Sequence, residues 1–274
     1  MTSTRPIVQV PPAVSAVPRS TWAVDRIAGG PLGDRAHVWA ATLDVSDSRY
    51  AALEAFLSDD ERRRAERYRV DIVARRYVSG RGLLRELLAS YLGIAPRDVQ
   101  LCYEQHGKPA LDAARHAAGP RFNVTHADGL ALFAFAERVR VGIDVERVAS
   151  FDDMASVAES CFSHAERQAL ARVAPPEAAE AFFSIWTRKE AYLKANGTGL
   201  MTPLDSFDVS VGRRVPAVLL RVGADAGAAS RWSVVHLEPA DDFMGALALD
   251  RPPTEVICRQ WAHLTDVRDS RIRS

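Results

Sequence analysis

Cysteine is scarce in this sequence: three in 274 residues, Cys102, Cys161 and Cys258, far from one another. Their number is odd and their spacing fits no metal-ligand pattern, which excludes a disulfide framework and a cysteine-built metal site. Reduced thiols in a cytoplasmic protein are the default reading. Net charge is missing as well. Lys plus Arg and Asp plus Glu stand at 35 each, so no global field argues for nucleic acid or a membrane as partner. Long apolar runs are also lacking. The opening MTSTRPIVQVPPAVSAVPRS holds none of the length of a signal peptide or membrane span. Its prolines and small residues predict a loose leader over residues 1–33.

What is present is a chain with 47% hydrophobic residues, ample for a core. His37 to Val45 reads as a strand. Ser58 and Glu61 have capping-box spacing and open a helix. A longer helix, with Asp71 as its candidate cap, runs to Leu92 and stops at Gly93. Val99 to Gln105 alternates as a strand, and Gly107-Lys108-Pro109-Ala110-Leu111 reads as a turn. Phe122–Thr125, Leu130–Ala136 and Val139–Glu146 follow as three strands joined by short turns, which predicts a meander. Asp152 to Cys161 is helical, and Ser163 with Glu166 is a second capping box. After Pro175-Pro176 a long helix starts near Glu177 and ends at Gly197. SFDVSV, WSVVHLEP and FMGALAL are further strands.

One internal echo stands out. FLSDDER (Phe56–Arg62) resembles CFSHAER (Cys161–Arg167), and each is followed by a long helix ending in glycine and then by strands. Two similar α+β halves would leave such a trace. The expected division is a leader over 1–33, halves over 34–138 and 139–250, and a polar tail over 251–274 in which Val256, Ile257 and Trp261 dock on the body.

Two stretches carry chemistry. In VRVGIDVE, Val139, Val141, Ile143 and Val145 alternate with Arg140, Gly142, Asp144 and Glu146, so Asp144 and Glu146 project from one face of a strand. Two close carboxylates repel unless one protonates or a cation neutralises them. An oxygen-only set suits a hard divalent ion such as Mg²⁺; a solvated strand edge is the plainer alternative. In FFSIWTRKEAYLKANGTGL, Phe182, Trp186, Lys189 and Leu193 share one helical face, with Glu190 and Lys194 on its flank. Either Glu190 and Lys194 form an ion pair one turn apart while Lys189 snorkels outward, or the helix lines a polar cleft.

The ordered set Gly107-Lys108-Pro109, Phe122-Asn123-Val124-Thr125-His126, Gly142-Ile143-Asp144-Val145-Glu146, Phe162-Ser163-His164-Ala165-Glu166 and Trp186-Thr187-Arg188-Lys189-Glu190-Ala191-Tyr192-Leu193-Lys194, closed by Gly197-Thr198-Gly199-Leu200, resembles the 4′-phosphopantetheinyl transferases of the Sfp type. Val145 and Thr125 stand where that family commonly has isoleucine and serine; neither removes a functional group. The resemblance implies an α+β fold of two similar halves related by a pseudo-two-fold, a cofactor cleft between them, and a monomer. It implies an enzyme that moves the phosphopantetheine arm of coenzyme A onto a serine of an apo acyl or peptidyl carrier protein, releasing 3′,5′-ADP. It assigns Asp144, Glu146 and Glu190 to Mg²⁺, Glu190 as candidate base, and Lys194 to the pyrophosphate. It places Lys108, Thr125, His126, Arg64 and Arg76 around the 3′-phosphate of coenzyme A. A non-catalytic coenzyme A or carrier-binding module on the same fold, and another Mg²⁺-dependent phosphohydrolase, are the competing readings.

Overall fold

The computed structural model describes residues 16–25, 30–104, 107–223 and 227–261. Residues 1–15 and 26–29 of the expected leader, Gln105 of the expected strand and residues 262–274 of the expected tail lie outside these. Two short strands open the described chain, β1 (Ala16–Val17) and β2 (Ala23–Asp25). A first run of elements follows: β3 (Arg35–Thr42), α1 (Asp47–Glu54), α2 (Asp59–Ala65), α3 (Asp71–Leu92), β4 (Leu101–Tyr103), β5 (Pro109–Leu111), β6 (Arg121–Ala127) and β7 (Leu130–Ala136). The same order then recurs: β8 (Val141–Arg147), α4 (Met154–Cys161), α5 (His164–Leu170), α6 (Ala178–Asn196), β9 (Phe207–Val209), β10 (Leu219–Val222), β11 (Ser233–Leu237) and β12 (Phe243–Leu249). A last strand, β13 (Glu255–Trp261), ends the described chain.

The fold is α+β. One sheet has the order β2-β13-β3-β7-β6, the other β1-β11-β12-β8, and β4-β5 and β9-β10 form two-stranded ribbons. Strand alternation divides the core. Val38, Ala40, Leu132, Ala134, Ile143, Val145 and Leu247 share the cluster between the sheets. Trp39, Ala41, Phe133 and Phe135 face the opposite way, onto Leu83, Leu84 and Leu87 of α3. On the second sheet Ala246 and Ala248 pack with Phe182, Ile185 and Ala191 of α6. Period two therefore sends Asp144 and Glu146 of β8 to the side covered by α6.

The two capping boxes form as the sequence predicts, at Ser58 with Glu61 and Ser163 with Glu166. Both long helices end at a left-handed glycine, Gly93 (φ 67°) and Gly197 (φ 78°), a conformation that strains any residue with a Cβ. Each capping glutamate also reaches a buried cation on the following long helix. Glu61 Oε2 accepts from Arg85 Nε at 2.7 Å, and Glu166 Oε2 lies 2.8 Å from Lys189 Nζ. Arg85 Nη1 further donates to Val99 O, and Lys189 Nζ to Leu204 O and Phe207 O, so each cation ties the loop after its helix to the helix itself. Lys189 is 0% exposed. It does not snorkel: a carboxylate and two carbonyls replace the water it loses, as a buried charge requires.

The structure revises several local expectations. The three-strand meander stops after two. β7 is paired on one side by β3 and on the other by β6, so it offers β8 no free edge; β8 pairs with β12 instead. The β6 and β8 edges still touch, because Asn123 Oδ1 accepts from the backbone N–H of Ile143 at 2.8 Å. Pro109–Leu111 is a strand rather than a turn, held by pairing with Leu101–Tyr103. Val70 is the residue that enters α3, and Asp71 is its first helical residue. Part of the expected leader and tail is sheet. Ala16–Val17 pairs with β11, and β13 inserts between β2 and β3, parallel to both.

Candidate functional site

The site grows from a close approach of α6 to β8. A Cβ built on Gly142 would lie 2.2 Å from Ala191 O and 2.3 Å from Ala195 N, so glycine with two alanines opposite is what lets the helix lie on the strand. That contact sets Asp144 beneath the last turns of α6. Asp144 is 3% exposed. Lys194 Nζ lies 2.6 Å from its Oδ1, and Thr125 Oγ1 donates to the same oxygen at 3.2 Å. Lys194 also donates to Thr125 Oγ1 at 3.2 Å, closing a triangle between β6, β8 and α6. The other oxygen, Asp144 Oδ2, is buried with no hydrogen-bond partner. Such an atom costs free energy unless something binds it.

Glu146 and Glu190 are half-buried beside this triangle. Burial pushes the Glu146 carboxyl up to about 7, and the charges of Asp144 and Glu190 push the same way, against Lys194 and a hydrogen bond from Trp186. Burial and then Asp144 raise Glu190, with Lys194 opposing. Burial raises Asp144 itself, opposed by Lys194. The three carboxylates therefore feel one another, and together they hold an excess of negative charge. Among the described residues no group of three or more His, Cys, Asp or Glu is arranged to hold a metal ion. The donor set nevertheless fits a hard divalent cation: all oxygen, mutually repelling, with one buried carboxylate oxygen unpartnered.

A line of cations flanks the acids. Loss of hydration lowers the pKa of His126, and the neighbouring charges of Lys194 and Arg76 lower it further. Arg76 holds Asp44 through two parallel bonds of 2.7 and 2.8 Å. Lys108 donates to Lys194 O at 2.7 Å and to Val141 O at 3.4 Å; burial lowers its pKa, and Arg121 and Lys194 add to that. At Lys108 and His126 burial and neighbouring cations both disfavour the charged form, which a polyanion would relieve, whereas Asp44 holds Arg76 charged. Arg64 is exposed and stands over the rings of Tyr77 and Tyr103, at 5.7 and 5.9 Å from their centroids.

The structure thus brings Thr125, Asp144 and Lys194 into direct contact, with Glu146, Glu190 and His126 within electrostatic reach. Of the two readings of this helix flank, the Glu190–Lys194 pair does not form; Lys194 pairs with the more deeply buried Asp144. Lys108 spends its ammonium on backbone carbonyls. A cleft of about 610 Å³ opens between the two runs of elements; of the expected site residues, only Lys108 lines it. Sequence reasoning missed the influence of Trp186 on the Glu146 carboxyl and the Glu166–Lys189 pair. The second was detectable: counted back eight positions from the glycine stops Gly93 and Gly197, Arg85 and Lys189 occupy matching places on the two long helices.

Comparison with known proteins gives the family. A 4′-phosphopantetheinyl transferase superfamily profile matches residues 140–248, and one for the N-terminal part of 4′-phosphopantetheinyl transferases matches residues 41–138. The 4′-phosphopantetheinyl transferase HetI of Nostoc sp. is 36% identical over 218 residues, covering 80% of this chain and 89% of that protein. Sfp of Bacillus subtilis is 28% identical over 155 residues, covering 57% and 66%. A crystal structure of the Thermotoga maritima holo-[acyl-carrier-protein] synthase aligns over 40% of this chain and 62% of its own, at 26% identity and a TM-score of 0.33. The chain belongs to the 4′-phosphopantetheinyl transferase family. Its members take coenzyme A as substrate and load its phosphopantetheine arm onto carrier proteins.

Proposed function

We propose that this transferase works at the Asp144–Lys194–Thr125 triangle, with coenzyme A lying along the cations and the carrier serine arriving beside Glu190. The observation that carries the reading is Asp144, 3% exposed, bound on one oxygen and unpartnered on the other. Asp144, Glu146 and Glu190 would hold Mg²⁺, which supplies charge neutralisation at the pyrophosphate. Lys194 leaves Asp144 for a pyrophosphate oxygen as a point charge. His126 and Thr125, with Arg76 and Arg64 farther out, receive the 3′-phosphate. Lys108 is near that phosphate by family analogy; its contacts here favour a supporting role, fixing the last turn of α6 and so the base of Lys194. The serine oxygen bonds to the phosphorus that carries pantetheine, the bond from that phosphorus to the bridging oxygen breaks, and 3′,5′-ADP departs. Glu190 accepts the serine proton, directly or through water.

We further propose that the two runs of elements are halves related by a pseudo-two-fold, dividing near residue 138, and that the enzyme acts as a cytoplasmic monomer. Among the described residues no helix is long and apolar enough to cross a membrane. Intact mass of an apo carrier domain after incubation with coenzyme A and Mg²⁺ tests the reading. The expected result is a gain of one phosphopantetheine that is lost with EDTA and in Asp144→Asn; full activity of Asp144→Asn would remove this site from the reaction.

A further inference from the structure

The link between α2 and α3 is exposed without interruption from Glu66 to Val73. It carries four large apolar side chains in the open, Tyr68 (37% exposed), Val70 (56%), Ile72 (45%) and Val73 (43%). A folded protein seldom presents so many together without a use for them. The surrounding charge is mixed but mainly positive: over residues 62–76 seven arginines stand against two exposed acids, Glu66 and Asp71. Arg63, Arg67 and Arg69 are exposed, and among the described residues none of their guanidinium groups has an ion pair or hydrogen bond. Neighbouring arginines, by contrast, are engaged: Arg62 with Asp59, Arg75 with Asp47 and Arg76 with Asp44. The link is therefore an apolar centre with three free guanidinium groups around it and two exposed acids, Glu66 and Asp71, among them.

Its position matters as much as its chemistry. Arg76, one turn into the helix this link opens, packs at the β6–β7 turn, where its guanidinium would lie 3.0 Å from a Cβ on Gly129. That turn follows His126. The link thus borders the proposed cofactor site, and a macromolecule seated on it would reach toward the reacting groups. We infer that the Glu66–Val73 link is a docking surface for the carrier protein, taking a face with an apolar centre and an acidic rim. The inference rests on the proposed transfer reaction. The occupant follows from charge complementarity to three unpaired arginines and from adjacency to a site whose second substrate is a protein.

The test uses the full chain with an apo acyl carrier protein and an apo peptidyl carrier domain. Two variants, Val70→Gln/Ile72→Gln and Arg67→Glu/Arg69→Glu, change only exposed side chains. Both are expected to raise the KM for carrier at least about tenfold, as loss of interface anchors does, with the KM for coenzyme A, kcat at saturating carrier and Tm unchanged. The arginine variant should also flatten the rise of carrier KM with salt, since its steering charges are gone. Carrier KM within twofold of wild type in both variants overturns the inference, and so does a shift confined to coenzyme A. Binding to vesicles of anionic lipid, or a wild-type dimer that the variants dissolve, also overturns it by assigning the surface to another occupant. Should the wild type load neither carrier, the reaction reading fails on its own. Fluorescence anisotropy of labelled apo carrier then decides the surface: binding weakened in both variants supports it, and binding that is absent or equal overturns it.

Discussion

The two runs of elements repeat one plan and fill it differently. In each, a capping-box glutamate (Glu61, Glu166) meets a buried cation on the long helix (Arg85, Lys189), which ends at a left-handed glycine. The pairing registers place Trp39 of β3 where β8 has Asp144, and His37 where β8 has Gly142. In the first run His37 Nδ1 and Trp39 Nε1 both meet the Tyr91 hydroxyl, at 2.8 and 3.1 Å, so aromatic bulk fills the space between strand and helix. In the second, Gly142, Ala191 and Ala195 close that space and leave room for an acid and a lysine. One plan thus yields a packed core on one side and a charged site on the other, and few positions decide which.

Exchanging these roles gives the sharpest tests. The largest effect is expected at Asp144 against Trp39. Asp144→Asn should lower turnover by about 100–1000-fold, the scale of losing one preorganised electrostatic group, with little change in Tm. Trp39→Phe should lower Tm and leave turnover per folded molecule intact. Steady-state assays beside thermal melts decide; a stable, fully active Asp144→Asn would erase the contrast.

The shared ion pairs come next. Lys189→Met strands Glu166 and costs about 3–5 kcal/mol in chemical denaturation; Arg85→Met costs less, because Arg81 Nε remains 3.5 Å from Glu61. Adding Glu166→Gln to Lys189→Met should recover part of the loss, as a structural rather than catalytic lysine requires. Gly142→Ala is expected to cost about 1–3 kcal/mol by overpacking, and also to lower turnover, because α6 must shift and carries Glu190 and Lys194 with it. Loss of stability without loss of turnover would uncouple the close approach from the site.

The smallest effect is a pH dependence. The Glu146 carboxyl is raised from 4.5 to about 7, so the folded state holds that proton more tightly than the unfolded chain. Its contribution to stability is present below about 4.5 and is lost as pH rises through about 7. His37 and His236, lowered by burial to about 4, act oppositely: their contribution fades as pH falls from 6.5 to about 4. Subtracting Glu146→Gln from wild type isolates the carboxyl. The difference in Tm should fall across pH 4.5 to about 7, and excess Mg²⁺ should flatten it by taking the proton's place.

Much of this was legible in the sequence where the determinants are local. Both capping boxes, both glycine stops and the alternation that sets Asp144 and Glu146 on one face form as read, because each depends on residues a few positions apart. The misreadings concern long range. Nothing near Val139 announces that β7 has no free edge, so β8 read as the next strand of a meander. Whether Lys189 snorkels or turns inward stays open in the sequence, because Glu166, Leu204 and Phe207 reach it only in the folded chain. For the site, residue types were visible but partners were not: Lys194 chooses Asp144 over Glu190, and Lys108 chooses carbonyls.

The crossing of the chain ends carries a consequence for biosynthesis. β13 sits inside the first sheet, between β2 and β3, yet it is separated from β3 by both runs of elements. During vectorial translation, β3 and β7 can find each other early, but the edge that β13 covers stays bare until residue 261 has cleared the ribosome. Severing the chain between the two runs of elements would leave the first sheet without its late-arriving strand.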